Sequence, residues 1–146
     1  MEYKKMGDAY YIRFDPGDEI LSKTLEVCRA EGIASAIYSG IGGLGDAQIQ
    51  TYVPETGAYE TDSVQGMLEL ISLNGNVVTD EKDELFTHAH GIVSYKIGDE
   101  HHVLGGHIKS LMVRITGEIE LRPVTGGMIR RVMNPDTGLG RWSFEA

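Results

Sequence analysis

Only one stretch of this chain repeats its apolar residues at helical spacing. In DPGDEILSKTLEVCRAEG (15–32), Ile20, Leu21, Thr24, Leu25 and Cys28 fall on one helical face. Asp15 suits the N-cap, Pro16 the first helical position, and Asp18 and Glu19 the positive end of the dipole. Gly32 supplies a stop after the last turn. The rest of the 146 residues alternates or turns, so the fold must be built from strands around a single helix.

The strands announce themselves by aromatic and β-branched content. AYYIRF (9–14) is the first, and IASAIYS (33–39) runs into a glycine-rich bend, GIGGLG (40–45). AQIQTYV (47–53) follows, with PETGAYE as the next turn. MLELISLNGNVV (67–78) is apolar on both alternations, as expected of a central strand covered on both faces. TDEKDE (79–84) is a solvated loop. LFTHAHGIVSYKI (85–97), HHVLGGHI (101–108) and LMVRITGEIELRPV (111–124) are further strands, the first two joined by a hairpin containing Gly98. GGMIRRVM ends the β region, and NPDTGLGRWSFEA reads as a loop-like tail anchored by Trp142. The class is α+β: a mostly antiparallel sheet with one main flanking helix, forming one domain over residues 1–146.

Composition narrows the function classes. No apolar run is long enough to span a bilayer, and no signal peptide opens the chain, so a cytoplasmic location is expected. The single cysteine, Cys28, rules out an intrachain disulfide framework and reads as a small core hydrophobe. The formal charge of −9 comes with no basic stripe of the kind that neutralises phosphates. Arg130 and Arg131, one of two adjacent basic pairs, are weak candidates for DNA contact.

All five histidines fall between residues 88 and 107. On a strand, His88 and His90 point to the same side, with Ala89 facing away. A hairpin around 98–100 returns the next strand alongside, so His107 can approach them. Two same-face imidazoles plus one from a neighbouring strand form a workable three-nitrogen site for a divalent metal, zinc first among them. Water or a ligand would take the fourth position. The same residues also fit a polar patch hydrogen-bonded across the sheet, and spacing alone does not choose between the two. His101 and His102, beside Asp99 and Glu100, read as a solvated turn.

Other chemistries fail on spacing. A cupin needs a glutamate shortly after its His-x-His pair, whereas the next acidic residue after His90 is Asp99. No nucleophile elbow and no Walker sequence occurs. GIGGLG places glycines at 40, 42 and 45, but a strand follows instead of the helix a dinucleotide fingerprint requires. It reads as a place of close backbone approach.

Three blocks stand in a recognisable order: GIGGLGDAQI (40–49), LELISLNGNV (68–77), and HAHGIVSYKIGDEHHVLGGHI (88–108) followed by GEIEL (117–121). Together they resemble the plants-and-prokaryotes conserved (PPC) domain across nearly the whole chain. That resemblance implies an antiparallel sheet with a flanking helix, assembly into a homotrimer, and a cluster of His88, His90 and His107 near a subunit boundary. Glu69 matches a recurrent acidic position and is an additional site candidate. In plants the domain follows AT-hook motifs, but no Arg-Gly-Arg core with flanking prolines occurs here. The family's DNA-binding label rests largely on that missing element.

The expected function is therefore that of a stand-alone, homotrimeric regulatory or assembly module. It would hold a divalent metal or a small-molecule ligand at the three histidines and reach DNA only weakly or through a partner. The alternatives are a metal-dependent enzyme, with Glu69 as general base, and direct DNA binding. Whether the chain is an enzyme stays open at the level of sequence.

Overall fold

The computed structural model describes residues 1–145. The elements run β1 (Glu2–Met6), β2 (Ala9–Phe14), α1 (Ile20–Ala30), β3 (Ala36–Val53), β4 (Ala58–Asp80), β5 (Leu85–Ile97), β6 (Glu100–Pro123), β7 (Met128–Met133) and β8 (Gly140–Glu145). One sheet of eight strands takes the order β1-β2-β6-β3-β4-β7-β8, and β5 pairs with both β4 and β6. Those pairings close a ring, β3-β4-β5-β6, in which every contact is antiparallel. The expected α+β class with one helix is what the chain adopts.

The ring holds the core. Leu44, Leu68, Leu73, Val93 and Leu111 are fully buried, and α1 joins the same cluster through Ile20, Leu21, Val27 and Cys28. Burial pushes the Cys28 thiol up to about 12, as an inert core position requires. Leu25, placed on the buried face by spacing, is only partly covered, and Val27 takes the deeper place.

The helix begins later than its sequence suggests. Glu19, not Asp15, is the N-cap, and its carboxylate accepts from the amides of Leu21 and Ser22 at 3.2 and 2.7 Å. The same carboxylate accepts from the Leu111 amide at 3.1 Å, tying the helix start to β6. Asp15 instead accepts from the N-terminal ammonium at 2.6 Å, which with Arg13 holds its carboxyl below the usual range. A capping choice of this kind is decided by a contact 92 residues away in the chain, which local spacing does not contain.

Several expected boundaries dissolve into longer strands. The glycine-rich 40–45 segment is no bend: it runs inside β3, with register shifts at Gly40/Gly42 and Leu44/Asp46. Close approach is its reason, since a Cβ on Gly40 would stand 2.3 Å from the Glu118 carbonyl oxygen. Segments 101–108 and 111–124 likewise fuse into β6. Residues 2–6, which carry no apolar alternation, form the mostly exposed edge strand β1. The tail is loop-like only over 134–139: beyond that turn β8 pairs antiparallel with β7, and β7 joins β4 in parallel at Thr79↔Arg130 and Asp80↔Arg131.

The 67–78 stretch is covered on both faces at its end, where Val77 and Val78 are both buried, but on one side only over 67–73 within the protomer. Leu68, Leu70, Leu73 and Val77 point inward, while Met67 and Ile71 are 46% and 52% exposed. A register shift at Leu70/Ser72 re-phases the strand, which is how residues three apart both reach the core. Ile41 and Ile115 line the same open groove and are also exposed.

Candidate metal centre

β5 and β6 build the centre through their shared register. Gly98, at φ +60°, allows the tight turn between them, and from it the ladder counts back to place His107 opposite His90. His88 lies two residues along β5 from His90, so both rings rise on the outer face while Ala89 is buried beneath. The three rings form a triangle with centroids 5.1 Å (His88–His90), 4.9 Å (His88–His107) and 5.5 Å (His90–His107) apart. One ring nitrogen from each lies within 4.8 Å of the other two. Three nitrogens on one tetrahedral zinc would stand about 3.4 Å apart, given Zn–N bonds of about 2.0–2.1 Å. Small side-chain rotations therefore suffice to bring these nitrogens onto one ion.

The electrostatics favour ligation. Packing around the His88 ring lowers its pKa, although one edge stays open to solvent, and His90 and Arg131 lower it further. His107 is lowered by burial first, then by His88 and His90. Neutral imidazole is the form that binds metal, and the lowered values of His88 and His107 favour that form. No described carboxylate joins the three nitrogens. Tyr59 packs on the His107 ring at 5.2 Å, and Asn76 faces His88 across the β4–β5 ladder.

The remaining candidates lie elsewhere. Glu69 is in register with Ser94 and lines the open groove with Ile41, Met67 and Ile115, away from the imidazoles. His101 and His102 stand at the start of β6 rather than in a turn, and His102 stacks on Tyr95 at 5.6 Å. Arg130 is engaged internally, donating to the Asp83 carboxylate at 2.8 Å and the Asp80 carbonyl at 3.1 Å. Arg131 lies over the Phe86 ring, 4.4 Å from its centroid. Asn76, Arg131 and Trp142 share a small cavity with His88, an association that sequence reading missed. Only the parallel β4–β7 pairing creates it, and nothing local in IRRV or GRWS signals such a partner.

The class of protein is thus a β-ring α+β fold carrying a three-imidazole cluster on its outer face. The chain belongs to the Plants and Prokaryotes Conserved (PCC, also PPC) family, whose domain matches residues 1–125. The PPC protein of Pyrococcus horikoshii is similar in structure, with TM-score 0.83, 34% identity, and coverage of 97% of this chain and 94% of that one. A metal-containing protein of Archaeoglobus fulgidus gives TM-score 0.82 at 29% identity, over 98% and 99% of the two chains. A protein of Bacteroides thetaiotaomicron described as a presumptive DNA-binding protein gives 0.88 at 28%, over 98% and 96%. No curated protein matches the chain. No helix among the described residues is long and apolar enough to cross a membrane.

Proposed function

We propose that this protein is a homotrimeric cytoplasmic module that binds one divalent metal ion, zinc in the first instance, through His88, His90 and His107. The observation that carries the reading is the convergence of three ring nitrogens within 4.8 Å of one another from two paired strands. An all-nitrogen donor set suits zinc and neighbouring transition metals, whereas magnesium and calcium prefer oxygen. Bound there, the ion would keep a position open for water or a small ligand, and it would act as a Lewis acid toward that ligand. The description of the Archaeoglobus relative as metal-containing supports this reading. Its role is regulation or assembly.

Trimer formation is supported by the uncovered groove of Ile41, Met67, Ile71 and Ile115, apolar side chains that a folded monomer leaves in water. The DNA-binding description of relatives is read as weak or partner-mediated contact, because the −9 charge opposes a polyanion and Arg130 is committed to Asp83. Equilibrium dialysis of untagged, metal-stripped protein against Zn²⁺, Mn²⁺ or Ni²⁺ tests the site. Uptake of none of the three would make the histidines a structural patch.

A further inference from the structure

The cavity beside His88 holds an arginine that the histidine cluster does not need. Arg131 is half-buried, with its guanidinium over the Phe86 ring and against Gly140. A Cβ on Gly140 would stand 2.3 Å from both Cζ and Nε of Arg131, so a side chain there would push the guanidinium out of its present place. Stacking of this kind fixes the direction in which the planar fork of N–H donors points.

Its neighbour shows what a purely structural arginine looks like here. Arg130 spends its donors on the Asp83 carboxylate and the Asp80 carbonyl. Arg131 feels the Asp80 carboxylate electrostatically without a direct ion-pair contact to it, and its hydrogen bond goes to the Met133 sulfur at 3.7 Å. A thioether is a weak acceptor, so most of the donor capacity of a half-buried cation is left over. Asn76 lines the same cavity, and its Oδ1 is buried with no hydrogen-bond partner. The cavity therefore presents a fixed cation and an unspent acceptor beside a metal-ligating histidine. Its volume, about 30 Å³, admits the head of a small oxyanion or a water, not a ring or a chain.

We propose that Arg131 anchors a small oxyanion, a carboxylate or phosphate group, at the edge of the three-histidine cluster. One anion oxygen accepts from the guanidinium. A second reaches the open position beside His88, and that attachment alone rests on the metal reading above. Asn76 Oδ1 accepts the P–OH hydrogen of a monohydrogen phosphate, whereas a carboxylate has no hydrogen to offer it. The hairpin that supplies Arg131, Gly140 and Trp142 lies past residue 125, where the family-model match ends.

Calorimetric titration with inorganic phosphate and, separately, acetate tests the proposal on untagged protein in a buffer free of other oxyanions. Both metal-loaded and metal-free forms are titrated. Saturable binding of one anion per protomer is expected. In Arg131→Met it should weaken about tenfold or more, the effect of losing a charge-assisted contact, with metal content unchanged. Arg131→Lys should restore part of the affinity, and Arg122→Met, on a remote exposed ion pair, should restore nothing because it loses nothing. A preference for phosphate over acetate that disappears in Asn76→Leu assigns the P–OH contact to Asn76. If no metal is taken up, the metal reading fails, while phosphate binding to metal-free protein that is lost in Arg131→Met still supports the anchor. Absence of anion binding in both forms, or unchanged binding in Arg131→Met, overturns it.

Discussion

His107 on β6 stands opposite His90 on β5, and their rings lie 5.5 Å apart at 85°. This pairing depends on the hairpin at Gly98, because side chains alternate along a strand and a slip of one residue would turn His107 toward the core. The three-histidine cluster is in that sense a consequence of register.

Acid should weaken both the metal-free fold and metal binding. His88 and His107 are held below the ordinary histidine value of about 6.5, so the unfolded chain binds protons more readily than the folded one. Stability is then fully present above about pH 6.5 and is lost as pH falls through the lowered folded values. Urea midpoints of metal-stripped protein between pH 8 and pH 5 should fall on the acid side, and less so in the His88→Gln, His107→Gln double variant. A flat profile in the wild type would contradict the assignment.

The Glu19 carboxylate caps α1 and also accepts from the Leu111 amide of β6. Glu19→Ala should destabilise the protein by about 1–2 kcal/mol, the upper part of the range for a lost cap. Glu26→Ala, which removes only an exposed pair with Lys23, should cost less than about 0.5 kcal/mol. Equal denaturant midpoints for the two variants would refute the tie to β6.

Much of this architecture was legible because helix and strand leave different periods. The single helix follows from the spacing of Ile20, Leu21, Thr24 and Cys28, and the same-side placement of His88 and His90 from their separation by one residue. The hairpin containing Gly98 also brought His107 into view. What was illegible depends on distant partners. Glu19 displaces Asp15 as cap because β6 offers it an amide, and 40–45 stays in a strand because β6 passes against it too closely for a side chain. The Arg131 cavity exists only because β7 adds to β4 in parallel, a pairing no local pattern encodes.

The exposed groove makes association measurable. Sedimentation should give a mass near three times 16.0 kDa at micromolar concentration. Placing a charge in the groove, as in Ile71→Asp, should shift the protein toward monomer, since Ile71 is 52% exposed within the protomer and contributes little to its own core. A monomeric wild type would remove the trimer and any site shared between subunits.

Duplex DNA should form no specific complex at about 0.15 M salt, where screening is already substantial. A trimer would carry −27, three times the −9 of the chain, and strong salt-dependent binding typically needs about 6–10 phosphate contacts. Fluorescence anisotropy with mixed and AT-rich duplexes checks this. Submicromolar binding that tightens as salt is lowered, and disappears in the Arg130→Ala, Arg131→Ala double variant, would restore direct DNA binding.

The most direct measurement is the metal stoichiometry of untagged protein after zinc loading and desalting, compared across single histidine variants. One zinc per protomer is expected in the wild type and in His102→Ala, whose ring stacks on Tyr95 outside the cluster. His88→Ala, His90→Ala and His107→Ala should each lose it, because two nitrogens hold the ion far less tightly than three. Full retention of zinc in His107→Ala, or equal loss in His102→Ala, would contradict the account.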